Sequence, residues 1–271
     1  SRGLGDVYKR QGLQHQDGHS HLLSSTIPNC VSYDPTYSYE LAVIVQDGLR
    51  RMYKKKENIF YYITTMNENY QQPEMPKCFE NDIVNCMYLL EDGGAGEYKL
   101  TKPLNKDSRL RLLGSGTILR EVRKAAEILR KEYSVAVDVW SVTSFNELRR
   151  DALAVSRENM LCPDKKPKLP FVTEKLAKQK GPIIAATDYM KAYSDQIREF
   201  VPDSYRVLGT DGFGRSDSRE RLRHFFEVDS KFVVLAALTD LKELGLVDPK
   251  AILAHMKKTG IKRAKANPLH Q

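Results

Sequence analysis

Between Tyr37 and Lys55 apolar residues return at spacings of three and four: Leu41, Ile44, Val45, Leu49 and Met52. That period places them on one face of a helix. Before it, Asn29 to Tyr33 is a short apolar run bounded by Pro28 and Pro35, and after it Ile59 to Met66 is rich in aromatic and β-branched residues. Both read as strands, the second as a buried one. A β-α-β succession predicts parallel strands joined by a crossover helix. Asn67 to Lys77 holds two prolines and little apolar character, which sets a domain boundary near Met75. Asp92-Gly-Gly-Ala-Gly96 reads as a turn between two short strand-like runs.

From Arg109 the alternation resumes. Strands are expected at Leu110 to Leu113, Val135 to Val142, Ile183 to Ala186 and Tyr205 to Gly209. Helices are expected at Thr117 to Tyr133, Asn146 to Val155, Tyr189 to Phe200, Ser218 to Phe226, Ser230 to Leu244 and Pro249 to Lys258. Strands alternating with helices at this spacing predict an α/β domain with a largely parallel sheet, a three-layer α/β/α arrangement from Cys78 onward. Pro163 to Val172 is a proline- and lysine-rich excursion, and Gly12 to Ser25, polar and rich in histidine, reads as a loop. The first eleven residues, SRGLGDVYKRQ, carry no periodicity and read as a non-native scar.

Composition narrows the function classes. The 271 residues are 41% hydrophobic, enough for a sizeable core, and the longest apolar run, Phe232 to Leu238, is far short of the roughly 18 residues that cross a membrane. No stretch near the N-terminus has the apolar length of a signal peptide. Cys30, Cys78, Cys86 and Cys162 lie far apart, so they read as reduced thiols of a cytoplasmic protein. The net charge of +8 collects at Arg50 to Lys56, Lys165 to Lys180 and Lys257 to Lys265. No aromatic residues are interleaved with the basic ones in the manner of a nucleic-acid groove. The stretches therefore read as solvated surface, with neither nucleic acid nor membrane as partner.

Three places could carry chemistry. His15, His19 and His21 surround Asp17 within seven residues. No cysteine is near that could complete a zinc site. The imidazoles can donate to a substrate or cofactor, or merely cap nearby backbone. Gly114-Ser-Gly116 follows a strand and opens a helix, but Leu119 stands where a dinucleotide fingerprint needs glycine. Close strand-to-helix packing with Ser115 or Thr117 as N-cap is the reading that remains. Thr210-Asp-Gly-Phe-Gly-Arg-Ser-Asp-Ser218 allows a sharp turn; Arg215 and Arg219 could tie it to aspartates or bind an anion, and Asp217 or Ser218 could cap the next helix.

Whole segments also resemble one family in order along the chain: Gly12-Leu-Gln-His-Gln-Asp-Gly-His-Ser-His21, Thr26-Ile-Pro-Asn-Cys30, Tyr61-Tyr-Ile-Thr-Thr65 with Asn67-Glu-Asn-Tyr70, Leu113-Gly-Ser-Gly116, Ser141-Val-Thr-Ser-Phe145 and Asp211-Gly-Phe-Gly-Arg-Ser-Asp-Ser-Arg219. They are similar to the homodimeric decarboxylating component of bacterial pyruvate dehydrogenase complexes, with transketolase a more distant relative. The resemblance implies that residues 12–75 are the last part of a pyrimidine-binding domain and 76–271 a transketolase-type C-terminal domain. It implies a thiamine diphosphate and magnesium enzyme that decarboxylates pyruvate and acetylates the lipoyl group of its acetyltransferase partner. The family's magnesium and diphosphate segment, and its ring-activating glutamate, have no counterpart here, so the chain is expected to be inactive alone and to contribute no cofactor or metal ligands. His15 is the one catalytic residue that maps. The alternatives are a transketolase-type fragment and a non-catalytic basic α/β binding module.

Overall fold

The computed structural model describes residues 17–94 and 109–271. The proposed scar at 1–11, His15 and the run after Gly96 lie outside the described residues.

Among the described residues the centre of the molecule is a five-stranded sheet in the order β3-β5-β4-β6-β7. Its strands are β3 (Met87–Glu91), β4 (Arg109–Gly114), β5 (Ala136–Val142), β6 (Ile183–Ala186) and β7 (Tyr205–Leu208). The pairings β4–β5, β4–β6 and β6–β7 are parallel, and β3 runs antiparallel along the β5 edge. Parallel strands are covered on both faces, which is why β5 is buried at every position. The helix α4 (Ile118–Tyr133) supplies Ile118, Leu119, Val122, Ala125, Ala126 and Leu129 to the core, a stripe at helical spacing. It packs on β4 and β5 and against α9 (Ser230–Glu243), which in turn carries α10 (Pro249–Thr259). The helix α5 (Phe145–Leu161) groups with α6 (Phe171–Leu176) and α7 (Lys191–Asp195). The architecture is the three-layer α/β/α one that the alternation predicts.

Residues 17–63 build a smaller unit: α1 (Ser20–Ser25), β1 (Cys30–Tyr33), α2 (Ser38–Leu49) continued as a π-helical turn at Arg50–Lys54, and β2 (Phe60–Ile63). β1 and β2 pair in parallel. A short helix, α3 (Glu80–Val84), leads into β3, and α8 (Arg219–Phe225) precedes α9.

Several expectations are corrected. The histidine-rich stretch is no open loop: it enters α1, whose His21 is fully buried. The apolar stripe of α2 faces outward at Val45 and Leu49, and the buried side is Glu40, Ile44, Asp47 and Gly48. β2 is half-exposed rather than buried. The helix expected from Tyr189 starts only at Lys191. Tyr189 is drawn into extended bonding, its carbonyl accepting from the Thr210 amide at 2.9 Å, while Asp211 Oδ1 takes the Lys191 amide at 2.9 Å. Thr117 and Ser218 stand at the N-cap positions of α4 and α8 without a side-chain cap bond, and Ser115 instead meets Thr187 Oγ1 at 3.2 Å. The excursion after Pro163 ends in α6.

Candidate functional site

The smaller unit meets the sheet at the carboxyl ends of its parallel strands, where open α/β sheets form their crevices. The end of β1 docks there through its backbone. The Asp34 amide donates to the Thr143 carbonyl at 2.8 Å, and the Gly116 amide donates to the Asp34 carbonyl at 3.1 Å. Thr36 Oγ1 adds a bond to the Gly116 carbonyl at 2.6 Å. The Leu113-Gly-Ser-Gly116 motif makes this approach possible. A Cβ on Gly114 would lie 2.8 Å from the Leu119 Cα, and one on Gly116, which has φ +51°, would lie 2.6 Å from Asp34 Oδ2. Glycine is the residue that takes that backbone angle without strain.

Two buried carboxyls organise the junction. Glu40 accepts from the Thr36 and Tyr37 amides at 2.5 and 3.0 Å, from the Tyr88 hydroxyl at 2.7 Å and from Ser141 Oγ at 2.6 Å. Burial raises its pKa, and those bonds oppose the shift. Asp34 Oδ1 accepts from Thr64 Oγ1 at 2.8 Å. Burial pushes its carboxyl up to about 7; bonds from Thr64 and Ser115 oppose this, and the charges of Asp188 and Glu40 add to it.

Thr64 also meets His21, whose Nε2 lies 3.0 Å from Thr64 Oγ1. The imidazole stacks on the Tyr193 ring at 4.7 Å and takes the edges of Tyr189 and Tyr62 at 4.5 and 5.6 Å. Burial lowers its pKa to about 3, against the weak opposing pull of Asp17. From the other side Asn146 Nδ2 reaches the His21 carbonyl at 2.6 Å and Ser32 Oγ at 2.7 Å. Asp17 Oδ1 accepts from the Ser20 amide at 2.8 Å and the His19 amide at 3.1 Å, and His19 itself is exposed. The three sequence candidates therefore part company: His21 belongs to the buried junction, His19 to the surface, and His15 lies outside the described residues. Sequence reasoning missed Asp34, Thr64 and Asn146. Only the Tyr61–Thr65 motif, which contains Thr64, and the Ser141–Phe145 motif, which ends beside Asn146, gave any signal.

A second contact joins two motifs that stand far apart in sequence. Glu68, in Asn67-Glu-Asn-Tyr70, is bonded by Arg120 Nη1 at 2.7 Å and Arg223 Nη2 at 2.5 Å, and Arg219 Nη2 reaches Asn67 Oδ1 at 3.2 Å. The Thr210–Ser218 loop is held to the Tyr189–Lys191 stretch through Thr210 and Asp211, and Arg219, just beyond it, reaches the 67–70 segment. Its own pairs are Arg221 with Asp217 at 3.7 Å and Arg215 over the Phe225 ring at 5.7 Å. Among the described residues no three His, Cys, Asp or Glu side chains converge to hold a metal ion.

Residues 5–73 match the family described as the pyruvate dehydrogenase E1 component middle domain, and residues 96–229 match the transketolase-like C-terminal domain. The pyruvate dehydrogenase E1 component of Pseudomonas aeruginosa is 57% identical over 262 residues, which are 96% of this chain and 28% of that protein. That of Escherichia coli is 53% identical over 262 residues, 95% of this chain and 28% of that protein. A transketolase structure from Campylobacter jejuni superposes with a TM-score of 0.59 at 18% identity, covering 88% of this chain and 30% of its own. One from Pichia stipitis reaches 0.58 at 14%, covering 91% and 30%; at those identities the likeness is one of fold. The chain is thus similar, along 95–96% of its length, to the pyruvate dehydrogenase E1 component and spans 28% of the length of the curated relatives it matches.

Proposed function

We propose that the chain is part of a cytoplasmic, homodimeric enzyme that decarboxylates pyruvate and passes the acetyl unit to the lipoyl group carried by its acetyltransferase partner. The observation that carries this reading is the 57% identity running along 96% of the chain. Residues 12–75 then complete a pyrimidine-binding domain and residues 76–271 form the C-terminal domain. Thiamine diphosphate, held with magnesium by residues outside this chain, supplies the electron sink for decarboxylation. No described helix is long and apolar enough to cross a membrane, and the basic stretches are partly occupied by ion pairs such as Arg51–Glu57, Lys168–Glu158 and Lys258–Glu132. Neither a membrane nor a nucleic acid enters the proposal.

Within this reading His15 is the catalytic residue that the chain contributes. An imidazole at that place hydrogen-bonds the substrate carboxylate or a developing alkoxide, and it can move a proton because it titrates near neutral pH. Removing one preorganised donor of this kind costs about 100- to 1,000-fold in turnover. His15→Ala in the full-length protein is expected to lower kcat by that amount while cofactor affinity and Tm hold. His224→Ala, which loses a 2.8 Å contact to Asp229 on the far helices, leaves kcat in place. Near-normal turnover by His15→Ala, measured as pyruvate consumption, rejects the assignment. The isolated 271-residue chain is expected to show no tight thiamine diphosphate binding by calorimetry and no turnover. Activity from the chain alone rejects the placement of the cofactor ligands elsewhere.

A further inference from the structure

The loop that follows β7 leaves the sheet at the carboxyl ends of its parallel strands, the end where the smaller unit docks and where open α/β sheets form their crevices. Its stem is pinned. The Thr210 amide donates to the Tyr189 carbonyl at 2.9 Å, Thr210 Oγ1 donates to the Asp188 carbonyl at 2.7 Å, and Asp211 Oδ1 accepts from the Lys191 amide at 2.9 Å. A Cβ on Gly18 would lie 3.8 Å from the Thr210 carbonyl oxygen, so the stem stands against the start of the smaller unit. Beyond the stem Gly212, at φ +96°, abuts the last turn: a Cβ there would lie 2.7 Å from the Pro268 carbonyl oxygen and 3.1 Å from the Leu269 Cα.

This fixed stem presents an aromatic ring to water. Phe213 is 81% exposed, more than any other large apolar side chain among the described residues, and Leu269, on the turn that Gly212 abuts, is 51% exposed. The charge nearby is positive. Arg215 and Lys265 both lie over the Phe225 ring, at 5.7 and 5.6 Å. Lys265 pairs with Glu227 at 2.9 Å, Asp211 with Lys191 at 3.4 Å and Asp217 with Arg221 at 3.7 Å. Arg215, Lys262 and Arg263 have no ion-pair partner among the described residues, against one unpaired acid of α8, Glu220.

An aromatic anchor beside unpaired arginine is the composition of a protein-docking surface, and a pinned stem lowers the ordering cost of using it. The surplus of cations calls for an acidic partner and opposes a second copy of the same face. A lone ring among the cations does not make the stacking platform of a single-stranded nucleic acid. The position matters too, because a domain that delivers a tethered group into a crevice has to dock at its rim.

We propose that the loop 211–216 and the turns at 262–269 are the docking surface for the lipoyl-bearing domain of the acetyltransferase. Phe213, with Leu269 beside it, enters an apolar pocket on that domain, and Arg215, Lys262 and Arg263 meet acidic groups around the pocket. This rests on the reading that the partner carries a lipoyl group.

The test uses the full-length holoenzyme with pyruvate and two acceptors, the lipoyl-bearing domain and free lipoamide. Acetylated product is followed by mass. Phe213→Ala is expected to lower kcat/KM for the domain about 10- to 30-fold, through KM rather than kcat. Arg215→Glu with Arg263→Glu is expected to lower it about 10-fold at low salt, with the difference from the parent shrinking as salt screens the charges. Both variants should keep the parent's Tm and its kcat/KM for free lipoamide. Unchanged kinetics with the domain in both variants, or equal losses with domain and lipoamide, overturn the docking role while pyruvate turnover by the parent keeps the reading it rests on. A parent that consumes no pyruvate overturns that reading and the docking role with it. A Phe213→Ala protein that sediments as a smaller species assigns the face to contact between copies. Weakened binding of a labelled oligonucleotide by the Arg215→Glu, Arg263→Glu protein, with domain kinetics intact, assigns it to a polyanion. Either result overturns the proposal.

Discussion

Asp34 and His21 are joined through one threonine hydroxyl, and burial shifts both toward their neutral forms, so their linkages to pH have opposite sign. The Asp34 carboxyl is raised from its ordinary 3.8 to about 7. The folded chain therefore binds that proton more tightly, and the contribution to stability present below about pH 4 is lost as pH rises through 7. The His21 imidazole is lowered from 6.5 to about 3, so its contribution is present above pH 6.5 and is lost as pH falls toward 3. Between about pH 4 and 6.5 the two slopes oppose each other, each up to about 1.4 kcal/mol per pH unit. Asp34→Asn removes one of them. Urea unfolding of the 271-residue chain across that range is expected to show the variant losing stability on acidification more steeply than the parent. Parallel pH profiles reject the coupling. None of this was legible in the sequence. His21 sits among Gly, Ser and other histidines, which argues for solvent, and the partners that bury it are 43 and 125 positions away. The local composition of a site says little when its walls come from four elements.

At the scale of elements, the parallel strands were legible because burial on both faces makes them continuous apolar runs, as at Leu110 to Leu113 and Ile183 to Ala186. The edge strand β3 was legible only as the short strand-like run before the Asp92 turn, without a place in the sheet, since Met87–Glu91 is short and alternates only partly. Helix α2 shows where periodicity stops: Val45 and Leu49 do fall on one apolar face, but the spacing does not say what covers that face. The devices joining elements are single residues with little sequence signature. Gly116, at φ +51° and against Asp34, is one. Gly116→Ala is expected to lower stability by about 1 to 3 kcal/mol from backbone strain and more from the clash, measured as a drop in Tm. Arg111 is another, a fully buried guanidinium on β4 that reaches the Leu176 and Gly181 carbonyls and Asp203 Oδ2. Arg111→Met keeps the stem and strands those acceptors, and is expected to cost about 3 kcal/mol. An unchanged urea midpoint shows that α6 and its loop are not held through this side chain.

The molecule as a whole pairs a well-covered sheet with a smaller unit whose outer side is bare. Val45, Leu49, Tyr53 and Phe60 are exposed around α2 and β2, and a contiguous apolar patch in water favours association. The isolated chain is expected to self-associate with bound hydrophobic dye. Val45→Lys with Leu49→Lys should shift sedimentation toward monomer. A parent chain that is strictly monomeric and dye-free rejects this. The smaller unit is nevertheless not an appendage, because its backbone is bonded into the larger one. The amide protons of Asp34 and Gly116 are both committed across the junction, to the Thr143 and Asp34 carbonyls. Such protons leave for deuterium only when the structure that covers them opens. If the two units unlatched independently, Asp34 would exchange early while Val137 and Leu112 stayed protected. The backbone weld predicts the reverse: Asp34 and Gly116 exchange as slowly as the middle of β4 and β5, and the isotope clock reads one opening event for both halves.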